Sequence, residues 1–225
     1  MERNDWRMIS EGDLMERPID FDLIRNARFP EGEFGLRMIE GMNQGHAALT
    51  DWGFSQVESW GKTILDVGCG GGAALRKLAE ALPEATFWGC DISPLAVSAS
   101  VKMNRENTLN GRMTFVVCGV SELPFESKKF DTVFSVESLY FWPNPKEDLK
   151  EISRVLKPGG RFMTVLEMVG GRLSQRHQAI AERLEMFCPT AEELENLFKE
   201  SGFCVEKILH DTERGWLCGV GMKMN

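Results

Sequence analysis

The chain has 225 residues, of which 43% are hydrophobic and 27% are charged, and its formal net charge is −8. This composition predicts one soluble globular domain with an added segment. The acidic balance and the absence of a long Lys/Arg run argue against a nucleic-acid partner, because phosphate binding needs clustered cations. No apolar stretch reaches the roughly 20 residues that span a membrane, and the polar start over Met1–Met15 differs from a secretory signal.

The six cysteines form no C-x-x-C pair and no Cys/His cluster at zinc-ligand spacing. They are interpreted as reduced thiols, most of them buried as small hydrophobic side chains. The sequence therefore predicts a cytoplasmic protein without a bound metal.

Residues 1–60 are expected to form an N-terminal helical cap or lid. A helix is predicted over Gly35–Leu49, where four side chains fall close to helical spacing: Leu36, Ile39, Met42 and His46. A turn is expected over Asp51–Phe54, followed by a short helix over Ser55–Trp60.

From Lys62 onward, short apolar runs alternate with helical stretches. Strands are predicted over Thr63–Val67, Thr86–Cys90, Met113–Cys118, Phe130–Val136 and Arg161–Met168. The helices between them are predicted over Ala73–Leu82, Pro94–Asn107 and Lys146–Val155. Alternation of this kind is typical of βαβ units and a parallel sheet.

The C-terminal part has a different order of elements. A helical insertion is expected at residues 168–189, with its helix over Leu173–Phe187. A second helix over Thr190–Ser201 begins with a capping box. Two strands then follow, over Phe203–Leu209 and Trp216–Met224, and the short turn between them favours an antiparallel pair.

A glycine-rich stretch, Gly68-Cys69-Gly70-Gly71-Gly72-Ala73, follows the first strand and opens a helix. Taken alone, its G-x-G-x-x-A pattern also fits a nicotinamide dinucleotide site. The preceding Asp66 separates the two interpretations, because a carboxylate repels a pyrophosphate. The same carboxylate favours S-adenosylmethionine, which carries a sulfonium and an ammonium group and no phosphate.

Four segments in order then carry a resemblance to the class I S-adenosylmethionine-dependent methyltransferases. Leu65–Gly72 resembles motif I of that family, and Phe87–Ser93 resembles the segment after it. The motif II region and the motif III turn are matched by Leu123–Phe125 with Phe130–Val133, and by Arg154–Gly160. The nearest likeness is to the ubiquinone/menaquinone-type branch, which acts on small molecules.

The resemblance implies an α/β fold with a Rossmann-like, mostly parallel sheet of seven strands. One strand would be antiparallel, with helices on both faces of the sheet and the N-terminal helical cap added. Residues 61–225 would form the S-adenosylmethionine-binding domain.

The same resemblance implies a set of residues around S-adenosylmethionine: Asp66, Gly68, Cys69, Gly70, Asp91, Ile92, Val120, Ser121 and Val136. Asp66 would hold the methionine ammonium, Asp91 the ribose hydroxyls, and Ile92 would pack on adenine. The family often places an acid after the third strand to contact adenine, but this chain has Gly119 there. The Val120 backbone and the Ser121 side chain are therefore expected to replace it.

Methyl transfer is an in-line displacement that depends mainly on alignment, so no catalytic triad is required. The candidates near the transferred methyl are His46, Glu137 and Tyr140. The expected partner is a small-molecule acceptor, bound by a monomer or a homodimer without nucleic acid or membrane. Three alternatives stay open: a nicotinamide oxidoreductase, a non-enzymatic S-adenosylmethionine-binding module, and methylation of a thiol or metalloid.

Overall fold

One seven-stranded sheet forms the centre of the protein, in a computed structural model that describes residues 21–224. The strand order is β3-β2-β1-β4-β5-β7-β6. The strands are β1 (Thr63–Val67), β2 (Thr86–Asp91), β3 (Met113–Val117), β4 (Phe130–Val136), β5 (Leu156–Leu166), β6 (Phe203–Asp211) and β7 (Trp216–Lys223). Strands β1 to β5 pair in parallel, whereas β7 runs antiparallel to both β5 and β6. The predicted fold class, with its single antiparallel strand, is confirmed.

Nine α-helices surround this sheet in the described part of the chain. They are α1 (Phe21–Arg28), α2 (Gly32–Gly45), α3 (Ala47–Phe54), α4 (Ala73–Ala81), α5 (Pro94–Met103), α6 (Arg105–Leu109), α7 (Pro145–Val155), α8 (Gln175–Arg183) and α9 (Ala191–Glu200). Helix α9 has the predicted capping box, in which Thr190 and Glu193 bond to each other's backbone N–H.

The boundaries of the cap differ from the prediction in three places. The helix predicted over Gly35–Leu49 is two helices, α2 and α3, which are separated at His46. Asp51–Phe54, predicted as a turn, is the last turn of α3, and Ser55–Trp60 is not helical. Gly53 allows α3 to pack closely against β5. A Cβ at this position would lie 3.0 Å from the Cβ of Val165 in β5.

The predicted helix over Pro94–Asn107 is broken at Asn104 into α5 and α6. The buried Asn104 amide donates to the carbonyls of Gly72 and Ser100, at 3.1 Å in both cases. The break therefore ties the end of α5 to the glycine-rich loop that follows β1.

Two hydrophobic layers cover the two faces of the sheet. One contains Phe162, Phe198 and Phe203, whose rings pack with centroids 5.6–6.2 Å apart. The other places Phe54 edge-on against Phe134, with centroids 5.3 Å apart. Five of the seven residues of β4 are buried, and the strand lies at the centre of the sheet.

A polar cluster joins three strands at the edge of the sheet opposite the glycine-rich loop. Asp131 in β4 accepts hydrogen bonds from Lys157 Nζ at 2.7 Å and from the backbone N–H of Thr63 at 2.9 Å. Burial raises the pKa of Asp131, but hydrogen bonds from Lys157, Thr63 and Lys62 outweigh it and lower the pKa to about 2.

Among the described helices, none is long and apolar enough to cross a membrane.

Candidate active site

The glycine-rich loop after β1 needs glycine for its shape. Gly68, Gly70 and Gly72 have φ angles of 78°, 51° and 77°, in the left-handed region that side chains disfavour. A Cβ on Gly68 would overlap the side chain of Ser138. The N–H groups of Gly68 and Cys69 donate to the Cys90 carbonyl at 2.8 and 2.9 Å, which holds the loop against the end of β2.

Asp91 connects this loop to the next helix. Its Oδ2 accepts from the Gly70 N–H at 3.0 Å, and its Oδ1 accepts from the Ser93 N–H at 2.9 Å. Burial raises the pKa of Asp91, and these two hydrogen bonds partly oppose the shift. Each carboxylate oxygen has a further lone pair, so Asp91 can still accept hydrogen bonds from a ligand hydroxyl.

Asp66 lies at the same edge of the sheet, but its hydrogen bonding differs from that of Asp91. Its side chain is 2% exposed, and Oδ1 has no hydrogen-bond partner among the described residues. Burial, and then the charge of Asp91, raise the pKa of Asp66 well above its usual value. A buried carboxylate without a partner is costly, so this position suits a ligand that brings a cationic donor.

A cavity of about 230 Å³ opens above these residues. All nine residues predicted to contact the cofactor line it: Asp66, Gly68, Cys69, Gly70, Asp91, Ile92, Val120, Ser121 and Val136. The cap closes the opposite wall with Pro30, Met42, Asn43 and His46. The cap packs directly on the loop, because a Cβ on Gly71 would overlap Asn43.

One end of the cavity contains Ile92, which is 43% exposed, and Gly119, where a Cβ would lie 3.5 Å from Ile92. Ser121 donates its hydroxyl proton to Asp148 Oδ1 at 2.6 Å. The Ser121 oxygen can therefore still accept a hydrogen bond but has no proton to offer. This end of the cavity therefore offers an apolar surface for a ring and a hydrogen-bond acceptor for an exocyclic amine, and adenine has both.

The other end is acidic and is built on Glu137, the residue that follows β4. Glu137 has φ 57° and lines the cavity. Its Oε1 accepts from the Tyr140 hydroxyl at 2.8 Å and from the Glu167 N–H at 2.6 Å. Burial and the neighbouring Glu167 charge raise the pKa of Glu137 to about 8. The shift in pKa favours the neutral form of the Glu137 carboxyl group.

Tyr140 is 2% exposed and lies behind Glu137, outside the cavity lining. Its hydroxyl oxygen accepts from the N–H groups of Glu167 and Met168, at 2.8 and 2.7 Å. Tyr140 thereby fixes Glu137 relative to the end of β5. In this arrangement it positions Glu137 and has no contact with the cavity.

His46 separates α2 from α3 and completes the acidic end. Its Nε2 lies 3.5 Å from Glu167 Oε1 and 4.0 Å from Glu137 Oε2. Burial lowers the pKa of His46, but a hydrogen bond with Glu167 and the charges of both glutamates raise it overall. In return, the hydrogen bond with His46 lowers the pKa of Glu167. The two groups form an ion pair when the imidazole is protonated.

Comparisons with known proteins identify the domain. Residues 65–164 match a family model described as a methyltransferase domain. The phthiotriol/phenolphthiotriol dimycocerosates methyltransferase of Mycobacterium tuberculosis (strain ATCC 25618 / H37Rv) is 32% identical over 133 residues, which are 59% of this chain and 48% of that protein. The chain thus spans about half the length of the curated relatives it matches.

Solved structures agree on the fold. The Haloferax volcanii complex between the Trm112 methyltransferase activator and a methyltransferase gives a TM-score of 0.76 at 22% identity, covering 92% of this chain and 100% of that one. Geranyl diphosphate C-methyltransferase from Streptomyces coelicolor A3(2), in complex with Mg²⁺, geranyl diphosphate and S-adenosyl-L-homocysteine, gives 0.71 at 16% identity, covering 87% and 84%.

Residues 65–164 form a class I S-adenosylmethionine-dependent methyltransferase domain. The expected family is thereby confirmed, and the nicotinamide alternative loses its basis. The matches do not single out the ubiquinone/menaquinone-type branch. The methyltransferase domain fits its cofactor on an observation of its own, namely that Asp66 lines the cavity and its Oδ1 has no hydrogen-bond partner among the described residues.

Glu167 is the residue of the methyltransferase site that sequence reasoning missed. It directly follows β5, as Glu137 follows β4, and ligands bind at the carboxyl ends of parallel strands. Its position directly after a strand was the sequence signal that could have identified Glu167. Together, ligand atoms of His46, Glu137 and Glu167 lie within 4.8 Å of one another, a spacing that a divalent cation could also bridge.

Proposed function

We propose that this protein transfers the methyl group of S-adenosylmethionine to a small-molecule acceptor by in-line displacement. The observation that carries the proposal is Asp66, a buried carboxylate with an unpartnered oxygen on the wall of the cavity above the motif I loop. Few groups other than an ammonium or a sulfonium would stabilise a carboxylate in that place.

The cofactor-binding residues would contact different chemical groups of S-adenosylmethionine. Asp66 would accept hydrogen bonds from the methionine ammonium, while Gly68, Cys69 and Gly70 border the methionyl part through their backbone. Asp91 would accept from the ribose hydroxyls with its remaining lone pairs. S-adenosylmethionine supplies a methyl group already activated by its sulfonium.

The adenine end would use apolar contact and one acceptor. Ile92 and Val120 would pack on the ring, and the Ser121 oxygen would accept from the exocyclic amine, in place of the acid that relatives often carry near Gly119. Val136 would border the methionine side of the cavity. These assignments predict that a Ser121→Ala variant binds S-adenosylhomocysteine more weakly.

The acceptor would lie at the acidic end, between His46 and Glu137. Both residues line the cavity, so both can contact an acceptor, whereas Tyr140 acts by holding Glu137. The cap closes the cavity with Pro30 and Met42, which favours a small acceptor over a macromolecule. One relative, 36% identical over 109 residues, is a fatty-acid O-methyltransferase of Mycolicibacterium smegmatis, and a fatty acid is also a small molecule.

The chain would divide into a helical lid and a methyltransferase domain. Residues 1–60 would act as a helical lid and residues 61–225 as the methyltransferase domain, with 168–189 as a helical insertion. The first part of this lid, residues 1–20, lies outside the described residues. The net charge of −8 and the free cysteines support a cytoplasmic protein that does not bind nucleic acid.

Two measurements test the proposal. In titration calorimetry, S-adenosylhomocysteine should bind and NAD should not. The protein should then transfer label from [methyl-¹⁴C]S-adenosylmethionine to a component of a protein-free metabolite extract. Binding without any transfer would favour the non-enzymatic module, and no binding at all would contradict the cofactor assignment.

A further inference from the structure

The hydroxyl group of Ser138 joins three parts of the protein beside the cavity. It donates its proton to the Val67 carbonyl at the end of β1, at 2.7 Å. It also lies 2.7 Å from the Ser135 hydroxyl in β4 and accepts from the Trp142 indole N–H at 3.4 Å. Because Ser138 gives its only proton to Val67, Ser135 is the donor in the bond between the two serines. Ser138 therefore ties the turn after β4 to the end of β1.

These contacts use the whole hydrogen-bonding capacity of the Ser138 hydroxyl group. A serine hydroxyl has one proton to donate and two lone pairs that accept. The proton goes to Val67, and the lone pairs accept from Ser135 and Trp142. Ser138 lines the cavity, but its hydroxyl has no donor or acceptor left for a ligand. Its polar contribution to a reaction is therefore made through the residues that it holds in place.

Glu137, which precedes Ser138, has a strained backbone. Its φ is 57°, in the left-handed region that residues other than glycine seldom adopt. Strain of this kind persists only where the surrounding structure fixes the chain on both sides. On one side the Glu137 N–H donates to the Val165 carbonyl at 3.1 Å, and on the other Ser138 bonds to Val67. Without the second anchor the turn would relax, and the Glu137 carboxyl group would move with it.

Ser138 also packs against the glycine-rich loop. A Cβ on Gly68 would lie 2.3 Å from the Ser138 Cβ. This contact and the bond to Val67 fix the separation between the loop, which would bind the methionyl part of the cofactor, and Glu137, which lies at the acceptor end of the cavity.

The loop has further anchors that the turn after β4 does not share. The N–H groups of Gly68 and Cys69 donate to the Cys90 carbonyl, at 2.8 and 2.9 Å. The Gly70 N–H donates to Asp91 at 3.0 Å. Loss of the Ser138 hydroxyl should therefore leave the shape of the loop intact and release mainly the turn.

Resting on the proposed function, we infer that Ser138 is a positioning residue for methyl transfer. It holds the turn that carries Glu137 against the end of β1, and thereby sets the distance between the acceptor and the methyl group of S-adenosylmethionine. The rate of an in-line displacement depends steeply on this distance, because a misplacement of about 1 Å can cost about 100-fold. The role is the same whichever atom of the acceptor receives the methyl group.

The first experiment separates the reaction rate from cofactor affinity. Ser138→Ala removes the hydroxyl group and keeps the Cβ that packs on the loop. Transfer from labelled S-adenosylmethionine to a protein-free metabolite extract is measured at saturating cofactor, and the Kd of S-adenosylhomocysteine is measured by calorimetry. The rate should fall about 10- to 100-fold while the Kd stays nearly unchanged. A higher extract concentration should not restore the rate, because geometry and not acceptor affinity is lost.

Two other serines supply matched controls. Ser55 is exposed and donates to the Trp52 carbonyl at 2.7 Å, so Ser55→Ala should change neither quantity. Ser100 donates to the Gly70 carbonyl at 2.7 Å, so Ser100→Ala releases the loop and should raise the Kd. An unchanged rate in Ser138→Ala, a rate that more extract restores, or an equal fold-change in rate and Kd would each overturn the positioning role.

The second experiment needs neither ligand nor acceptor. Amide hydrogen exchange is measured by NMR in the wild type and Ser138→Ala. If the turn relaxes, exchange should rise about tenfold at the Glu137 N–H and at the Glu167 N–H, which donates to the Glu137 carboxyl at 2.6 Å. The N–H groups of Gly68 and Cys69, which bond to β2, should keep their protection.

Equal acceleration of all four amides would indicate a general loss of stability and would overturn the positioning role, as would unchanged exchange at Glu137 and Glu167. Exchange also tests Ser138 if the wild type transfers no label. A wild-type protein that does not bind S-adenosylhomocysteine would instead refute the proposed function, so the two failures are distinguishable.

Discussion

Replacement of Asp66 by asparagine tests the electrostatic basis of cofactor binding. The substitution keeps the shape of a side chain that is 2% exposed and removes its charge. A hydrogen bond to a charged group is worth about 1.5–3 kcal/mol, which corresponds to a roughly 10- to 150-fold increase in Kd. We therefore expect Asp66→Asn to bind S-adenosylhomocysteine weakly while remaining folded.

The same variant should be more stable than the wild type when no ligand is bound. Burial raises the pKa of Asp66, so the folded protein binds this proton more tightly than the unfolded chain does. Stability therefore falls as pH rises from the unfolded value through the folded pKa, and asparagine removes this loss. An unsatisfied buried group costs about 1–3 kcal/mol, and each kcal/mol shifts Tm by about 2–4 °C at this chain length. The ligand-free variant should melt at least about 2 °C higher at pH 7.5.

Calorimetry and thermal melting between pH 6 and pH 8 measure both effects. Because the ligand ammonium lowers the Asp66 pKa, binding to the wild type should release a proton and tighten as pH rises. Asp131→Asn is a matched control at the opposite edge of the sheet and should leave Kd unchanged. An Asp66→Asn variant with wild-type affinity and the same pH dependence would refute the reasoning.

Three further predictions concern the loop, the strand edge and the acidic end. Gly68→Ala should abolish S-adenosylhomocysteine binding in calorimetry because its Cβ overlaps a serine side chain, whereas Gly111→Ala, also at positive φ but in open space, should not. Asp131→Asn should lower the unfolding free energy by about 1 kcal/mol in urea titrations; since the Asp131 pKa is about 2, the difference should persist above pH 4 and vanish toward pH 2. The rate of methyl transfer should fall as pH rises through about 8, because Glu137 ionises there and adds a negative charge beside the acceptor; a rate that keeps rising past pH 9 would exclude a role for protonated Glu137.

The sheet was predictable because its strands carry patterns that few other structures tolerate. Phe130–Val136 is rich in aromatic and β-branched residues, which favours a buried strand, and the structure places it next to β1. The short link before Trp216 correctly indicated an antiparallel pair.

Helix ends were harder to predict, because they depend on distant contacts. The break at Asn104 follows from its hydrogen bond to Gly72, 32 residues away in sequence.

That the glycine-rich loop and Asp91 lie together was predictable from their spacing, because they follow successive strands that end at one edge of the sheet. All of these residues line one cavity in the structure. The acidic end was only partly foreseen. Glu167 follows a strand that is distant in sequence from His46, and no local pattern links the two. Burial also decides the protonation of Glu137, and burial by the cap cannot be read from residues near position 137.

The acidic groups at the two ends of the cavity differ in what they can contribute to the proposed reaction. Asp66 would stabilise the cationic cofactor before transfer, and stabilisation of the bound state alone does not accelerate the chemical step. A contribution to the rate must come from groups that contact the acceptor, and His46 and Glu137 line the other end of the cavity. Substitution of Asp66 should therefore change the affinity for S-adenosylhomocysteine more than it changes kcat at saturating cofactor.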